Sequence, residues 1–176
     1  ESYWATARQL EPMGLSASVL GTSVSTDEKE PDMQRLSVGC GATGLPERDY
    51  YLKRCQESEV TRLKYRDHIA QLAAYVRGAP EGEEPSDADK KGAAGMLAFE
   101  MSLAKHMLSK EEMRDPVATY HKMTASELAV VVGPNVPLLA YVKDLGVSPS
   151  DPVLVPNPKG TTWYLSHTLS AVFLLT

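Results

Sequence analysis

The chain has 176 residues, of which 43% are hydrophobic and 23% are charged. These values are ordinary for a globular protein, and residues 1–176 are predicted to form a single domain. The net charge of -5 lacks the basic excess of a nucleic-acid-binding protein, so nucleic acid is excluded as a partner. No window approaches the ~20 consecutive apolar residues of a spanning helix, and no transmembrane segment is predicted.

The sequence begins with Glu1 and shows no basic and apolar leader pattern, so its start is expected to reflect processing or an incomplete chain. Cys40 and Cys55 are its only cysteines, and they do not form a Cys-x-x-Cys pair. Two small, partly buried thiols are favoured over a disulfide, although the redox state of this pair stays open.

The first quarter of the chain predicts a short helix followed by two strands. Residues 2–10 have helical spacing, with Trp4 on the apolar side. Residues 18–24 and 35–38 are short β-branched or alternating runs, and the charged segment 27–32 is expected to be the loop that joins them. The glycine-rich run that follows lacks the spacing of a phosphate-binding loop and is interpreted as backbone punctuation.

Two longer helices are predicted next. Residues 57–77 show a helical period, and their apolar face comprises Tyr65, Ile69, Leu72, Ala73 and Val76. After an acidic loop over residues 78–85, Ser86 and Asp89 predict the start of a second helix. Its buried stripe is expected to hold Ala93, Met96, Leu97, Leu103, Ala104, Met107 and Leu108. Glu100 falls inside this stripe and therefore needs a polar partner.

The last third predicts shorter elements. Thr124 and Glu127 form a capping box that opens a helix reaching about Val132. Asn135 is expected to cap a further helix that stops at Gly146. Residues 153–155 suggest a short strand, and residues 161–175 permit helix or strand, of which helix is preferred. The fold class is therefore mainly α with a few short β-strands.

No catalytic constellation is found in the sequence. A helical zinc site of a peptidase needs the spacing His-Glu-x-x-His, and none of the four histidines meets it: His68, His106, His121 and His167. Cys55 follows Arg54, but an adjacent cation is weak evidence for a nucleophile. Glu100 could be a buried acid or base, whereas an ion pair or a hydrogen bond to a loop is the favoured interpretation.

Several strings in a fixed order carry a family resemblance. The central string is Gly44-Leu45-Pro46-Glu47-Arg48-Asp49-Tyr50-Tyr51-Leu52. It is preceded by Val24-x-x-Asp27-x-Lys29. It is followed by Tyr65, His68, Glu100, Arg114-Asp115-Pro116, Tyr120-x-Lys122-Met123-Thr124 and Glu127-Leu128. Residues 20–156 thereby resemble the neprilysin and endothelin-converting enzyme family of zinc metallopeptidases, and within it part of the helical, non-catalytic lobe.

The resemblance implies a structural motif and no catalytic or metal-binding residue. The zinc-binding helices of the family lie downstream of the matching part, so zinc is expected only in a longer parent enzyme. The motif residues are Gly44, Leu45, Pro46, Arg48, Asp49, Tyr50, Tyr51, Glu100, Arg114 and Asp115. Gly44 is expected to provide an unusual backbone angle, at least one of the two tyrosines to bury its ring, and Glu100 to be a buried polar tie.

Two functions remain open at this point. In the first, the chain is a non-catalytic structural or accessory subunit with protein partners in a larger assembly. In the second, it is part of a complete zinc metalloendopeptidase whose catalytic lobe lies outside this sequence. The resemblance implies an extracytoplasmic or membrane-ectodomain location, and an organellar, mitochondrial assembly is the alternative.

Overall fold

A computed structural model describes residues 2–10, 20–40, 43–134 and 136–173. These residues form nine helices and four strands. The helices are α1 (Ser2–Leu10), α2 (Arg48–Leu52), α3 (Gln56–Val76), α4 (Asp87–Ala104), α5 (Lys110–Met113), α6 (Pro116–Thr119), α7 (Ala125–Val132), α8 (Leu138–Asp144) and α9 (Pro158–Phe173). The strands are β1 (Leu20–Asp27), β2 (Glu30–Cys40), β3 (Lys122–Thr124) and β4 (Pro152–Leu154).

The predicted fold class is confirmed, since helices dominate and the strands form one mixed sheet in the order β1-β2-β4-β3. β1 and β2 form an antiparallel hairpin in which Leu20 pairs with Cys40 and Val24 pairs with Leu36. β4 adds to β2 in parallel and to β3 in an antiparallel manner. The sheet therefore joins residues from the beginning and the end of the chain.

The described residues cluster into two compact units. Unit 2 comprises residues 43–107 and contains α2, α3 and α4. Unit 1 comprises the other described residues and contains the sheet with α1 and α5 to α9. The prediction of one domain for residues 1–176 stays a prediction.

Each unit has its own buried side chains. The largest in unit 1 that are almost fully buried are Leu20, Val38, Leu128, Leu138, Tyr141, Val142, Val153, Val155 and Leu165. The hydrophobic core of unit 2 is smaller and rich in alanine: Tyr51, Ala70, Ala74, Ala93, Leu103 and Ala104. Burial of a large apolar side chain contributes about 1.5–3 kcal/mol and burial of an alanine contributes less, so the core of unit 2 contributes less stability per buried residue.

The predicted helix caps are confirmed where the sequence carries a capping box. Ser86 Oγ accepts from Asp89 N over 3.2 Å, and the carboxylate of Asp89 accepts from Ser86 N over 2.9 Å. Thr124 and Glu127 form the same reciprocal pair at the start of α7. Ser109 and Glu112 form a third one, which the sequence analysis missed. Such boxes satisfy amides that a helix leaves without internal partners.

The predicted apolar face of α3 is wrong in its second half. Leu72 is 48% exposed and Val76 is 91% exposed, whereas Ala70 and Ala74 are buried. The reason is that α4 packs on the alanine side of α3, where small side chains permit close contact. On α4, Met96 is likewise 44% exposed, in contrast to the prediction.

The predicted loop between the first strands is too long. Only Glu28 and Lys29 form the turn, and the polar residues on either side of it continue the two strands. Residues 18 and 19 of the predicted first strand lie outside the described residues.

Of the remaining predictions for the C-terminal third, the stop at Gly146 and the last helix are confirmed, and the cap at Asn135 is not. Gly146 follows α8 with a φ of +82°, as the predicted stop requires. Residues 158–173 are helical, so helix is confirmed there. Asn135 lies outside the described residues, and Pro137 occupies the N-cap position of α8 without a side-chain cap. In the described part of the chain, no helix has the length and apolarity that crossing a membrane requires.

Candidate functional site

The motif string adopts a short bend followed by one helical turn and a half. Glu47 has an extended backbone and precedes α2, and Lys53 ends this helix in an extended conformation. Asp49 lies in the first turn of α2, where a negative charge is favoured by the helix dipole, and it pairs with Lys53 over 2.9 Å. Since a five-residue helix is not stable by itself, its position depends on contacts with α3 and α4.

Glu100 of α4 provides the central contact. Its side chain is buried, and Oε1 accepts a hydrogen bond from Gly44 N over 3.0 Å. Oε2 accepts from the hydroxyl of Tyr51 over 3.0 Å, and the same hydroxyl oxygen accepts from Leu45 N over 2.7 Å. The expectation of a buried polar tie to a loop therefore agrees with the geometry. Gly44, Leu45, Tyr51, Tyr65 and Glu100 are called the Glu100 cluster below.

Gly44 is required for a different reason than the predicted backbone angle. Its φ is not in the left-handed region, where only Gly78, Gly82, Gly133 and Gly146 lie among the described residues. A Cβ at position 44 would instead lie 1.7 Å from the hydroxyl oxygen of Tyr65. The absent side chain therefore makes room for the tyrosine of α3.

The two tyrosines of the cluster stay protonated under ordinary conditions. Burial raises the pKa of Tyr51 to about 12, and the nearby negative charge of Glu100 acts in the same direction. Burial and Glu100 also raise the pKa of Tyr65. Both hydroxyl groups are therefore available as hydrogen-bond donors beside the carboxylate, and the cluster fixes the loop rather than transferring protons.

The other residues of the motif string divide into buried and exposed ones. Arg48 donates from Nη1 to the carbonyl oxygen of Met107 over 2.6 Å, and thereby ties α2 to the end of unit 2. Tyr51 is 1% exposed, whereas Tyr50 is 38% exposed. One of the two rings is thus buried, as expected. Pro46 is exposed and Leu45 is half-buried.

Arg114 and Asp115 belong to unit 1 and both are exposed. Arg114 occupies the C-cap position of α5. Asp115 caps α6, because its Oδ1 accepts from Val117 N over 2.9 Å and from Ala118 N over 3.3 Å. These contacts give both residues a local role at the ends of short helices.

A second polar cluster, at the end of the β1–β2 hairpin, was missed by the sequence analysis. Asp27 is 0% exposed, and four donors surround its carboxylate. Oδ2 accepts from Arg35 Nε over 2.5 Å and from Lys122 Nζ over 3.2 Å. Oδ1 accepts from the Tyr120 hydroxyl over 2.8 Å and from Lys29 N over 3.0 Å.

Glu30 completes this second cluster. It accepts from Arg35 Nη2 over 2.5 Å and also pairs with Lys122. The ammonium group of Lys29 lies 4.3 Å from the centre of the Tyr120 ring, a cation–π contact. Asp27, Glu30, Arg35, Tyr120 and Lys122 are called the Asp27 cluster below.

Several charges determine the ionisation of Asp27. Burial by itself would raise the pKa of Asp27, but the donors Arg35, Lys29, Tyr120 and Lys122 outweigh burial and hold its pKa well below its ordinary value. Lys122, followed by Arg35, also lowers the pKa of Glu30. The sequence contained a signal for this cluster, since Asp27, Tyr120 and Lys122 all lie in the resembling strings, but nothing in it showed that they meet.

The described residues of this chain do not assemble a zinc site. Across the described ranges, no three side chains of His, Cys, Asp or Glu come close enough together to hold a metal ion. His106 and His167 each contact a backbone carbonyl four residues earlier in the sequence, that of Ser102 and that of Trp163.

Cys55 is an exposed free thiol at the start of α3. Its sulfur lies 3.1 Å from Ser58 Oγ, and hydrogen bonding to Ser58 lowers the pKa of the thiol. A hydroxyl group is not a general base, so this contact does not make the thiol a catalytic nucleophile.

Comparison with known proteins identifies the family to which this mainly helical segment belongs. The sequence model of peptidase family M13 matches residues 1–171. Over 136 residues, the chain is 31% identical to endothelin-converting enzyme 1 of Mus musculus and 30% identical to that of Homo sapiens. Each alignment covers 75% of this chain and 17% of the relative.

Solved structures show the same fold. A zinc metalloprotease of Mycobacterium tuberculosis in complex with an inhibitor matches with a TM-score of 0.72 and 25% identity, over 87% of this chain and 22% of that one. Its open state matches with a TM-score of 0.70 and 25% identity, over 85% and 22%. PepO from Lactobacillus rhamnosis matches with a TM-score of 0.66 and 16% identity, over 96% of this chain and 25% of that one. At this identity the match supports the fold alone.

The chain belongs to peptidase family M13, and the resemblance to the neprilysin and endothelin-converting enzyme group is confirmed. It corresponds to the N-terminal part of these zinc peptidases, and it spans 17% of the length of the curated relatives. Their catalytic region is not covered by this chain.

Proposed function

We propose that these residues form part of the non-catalytic helical lobe of a zinc metalloendopeptidase that cleaves peptides, with zinc and the catalytic residues outside this sequence. The observation that carries the proposal is the family match over residues 1–171 together with a coverage of 17% of the relatives. The Glu100 and Asp27 clusters support a scaffolding role, because both carboxylates are fully engaged in holding chain segments together.

The experiment compares the 176-residue protein with the complete product of its coding sequence. Zinc is measured by atomic absorption, and cleavage is measured with a library of short peptides with and without a chelator. We expect stoichiometric zinc and chelator-sensitive cleavage only for a longer product that contains His-Glu-x-x-His. Chelator-sensitive cleavage by the pure 176-residue protein would contradict the proposal, as would a coding sequence without that motif.

A second candidate is a structural or accessory subunit of a larger assembly. Val130 and Val131, neighbours in α7, are 83% and 47% exposed. Exposed apolar side chains that lie side by side are often covered by a partner. Stable co-purification of the 176-residue protein with an assembly supports this candidate. A well-folded, monodisperse monomer in its native extract counts against it.

A further inference from the structure

Unit 2 has two ends, because the chain enters it at Thr43 and leaves it at Met107. The first end is tied to Glu100, which accepts from Gly44 N over 3.0 Å. The last end is tied to Arg48, which donates to Met107 O over 2.6 Å. Both ties involve residues 44–51, so one short segment fastens both ends of the unit.

The first end is held by side chains rather than by a backbone ladder. Residues 43–47 are called the strap. The amides of Gly44 and Leu45 donate to Glu100 and to the hydroxyl of Tyr51. Thr43 Oγ1 donates to Leu45 O over 2.8 Å within the strap. Removal of one side-chain acceptor therefore removes a large part of the polar contacts of the strap.

The helix pair α3 and α4 has separate sources of stability. Its helices bury Ala70, Ala74 and Ala93 between them. The capping box of Ser86 and Asp89 opens α4, and Arg77 donates to the same aspartate over 3.1 Å. None of these contacts includes the strap, so the helix pair can persist when the strap is released.

We propose that Glu100, Tyr51 and Arg48 form a clasp that holds the two ends of unit 2 together. When the clasp is broken, the strap and the segment around Met107 open together, while α3 and α4 retain their helical hydrogen bonds. Such a clasp suits a segment whose two ends connect to the same neighbouring unit, since close ends allow an insertion without disturbing its host. The inference goes beyond the proposed function and does not depend on it.

The two ties are coupled through α2. Tyr51 lies in α2 and contacts Glu100, and Arg48 is the first residue of the same helix. A helix of five residues has no stable position of its own. Loss of the Tyr51 contact therefore displaces Arg48 from the carbonyl of Met107, and loss of the Arg48 contact weakens the hold of α2 on the strap.

Hydrogen exchange measured by mass spectrometry on the full 176-residue protein tests the clasp. The variants are Tyr51→Phe, Glu100→Gln and Arg48→Lys, and Tyr50→Phe is the matched control because this neighbouring tyrosine is exposed. We expect exchange to accelerate by about tenfold or more in peptides that cover residues 43–47 and 105–109 in each clasp variant. Exchange in the middle of α3 and α4 stays as in the parent protein, and Tyr50→Phe changes neither end.

Three outcomes would overturn the proposal. Acceleration at one end alone shows two independent ties, and acceleration throughout α3 and α4 shows that the strap is part of one cooperative unit. Unchanged exchange at both ends shows that the clasp contributes nothing. If Glu100→Gln does not fold, the exchange of Tyr51→Phe at the two ends decides between these outcomes, because this substitution keeps the ring and removes only the hydroxyl group.

Discussion

At the scale of single residues, Gly44 shows how a missing side chain can be a structural requirement. The strap passes so close to Tyr65 that a Cβ would lie 2.5 Å from the phenolic carbon and 1.7 Å from the hydroxyl oxygen. Both distances are far below any tolerated contact, and Tyr65 is itself held in the Glu100 cluster. The position therefore excludes every other residue without movement of the strap or the ring.

We expect Gly44→Ala to destabilise the protein by about 1–3 kcal/mol, the usual cost of overpacking. Gly95→Ala is the matched control, since the same methyl group there has no atom within 4 Å and α4 continues on both sides. This control is expected to gain about 0.5–1 kcal/mol from the higher helix propensity of alanine. Urea unfolding followed by circular dichroism measures both; equal effects of the two substitutions would contradict the close approach at Gly44.

The roles of Glu100 and Gly44 differ in how far the sequence predicts them. Glu100 interrupts an apolar stripe, so its burial and its need for a partner follow from the helical period. The identity of that partner, a backbone amide 56 residues earlier, does not follow from any local pattern. A glycine that is needed for close approach cannot be distinguished by sequence from one that is needed for a positive φ.

At the scale of elements, the Asp27 cluster fixes the end of a hairpin to a strand that follows about 95 residues later. Asp27 ends β1 and Arg35 lies in β2. Lys122 begins β3, and Tyr120 lies two residues before it at the C-cap of α6. Two positive side chains neutralise the two carboxylates, so the burial of Asp27 does not leave an uncompensated charge.

The cluster should make the stability of unit 1 depend on pH in the acid range. The pKa of Asp27 is lowered in the folded protein, so its stabilisation is complete above the pKa of the unfolded chain, near ~3.9. The unfolded chain takes up a proton as the pH falls below that value, while the folded protein resists, and the stabilisation decreases. We expect the urea concentration at the unfolding midpoint to decrease as the pH is lowered from 5 to 2. The Asp27→Asn substitution should make this decrease smaller.

The matched control for the acid experiment is Asp32→Asn, since Asp32 is an exposed residue of β2. This variant should keep the pH dependence of the parent protein. An Asp27→Asn variant with the pH dependence of the parent would show that other carboxylates are responsible.

The capping box of α4 provides another prediction. Ser86→Ala removes the acceptor for Asp89 N and should destabilise the protein by about 1 kcal/mol. Ser126→Ala is the control, because this exposed serine lies in the first turn of α7 and is not its N-cap residue, which is Thr124. Thermal unfolding compares the two variants. A Ser86→Ala midpoint equal to that of the parent would show that Asp89 holds this helix start without the hydroxyl.

Local elements were predictable to the extent that their signals are local. The N-cap at Ser86, the capping box at Thr124 and the stop at Gly146 were predicted correctly, because the interacting groups lie within three or four residues. The exposed side of α3 was not predicted correctly. Periodicity defines the apolar face of a helix, but it does not show which side of the helix a neighbouring element will cover. α4 packs against the side of α3 that carries Ala70 and Ala74, and these small side chains add little to a hydrophobic pattern in the sequence.

At the scale of the whole molecule, the His, Cys, Asp and Glu side chains of the described residues do not form a group that could hold a metal ion. We therefore expect neither a chelator nor an equimolar addition of zinc to change the thermal midpoint of the 176-residue protein. Scanning calorimetry with both additions is the measurement. A midpoint that rises with zinc would reveal a site made by residues outside the described ranges or between molecules.

Unit 1 is built from two stretches of the chain that are separated by the residues of unit 2, and this separation affects the order in which its parts fold. The contacts that define unit 2 lie within one continuous stretch, residues 43–107, so this unit can begin to fold before β4 is made. The β1–β2 hairpin is made earlier, but β4 follows Cys40 by more than 110 residues and supplies its neighbour in the sheet. Contacts of such sequence separation form slowly. β1 and β2 are therefore made well before the strand that completes their sheet, and they stay accessible to chaperones and proteases throughout that interval.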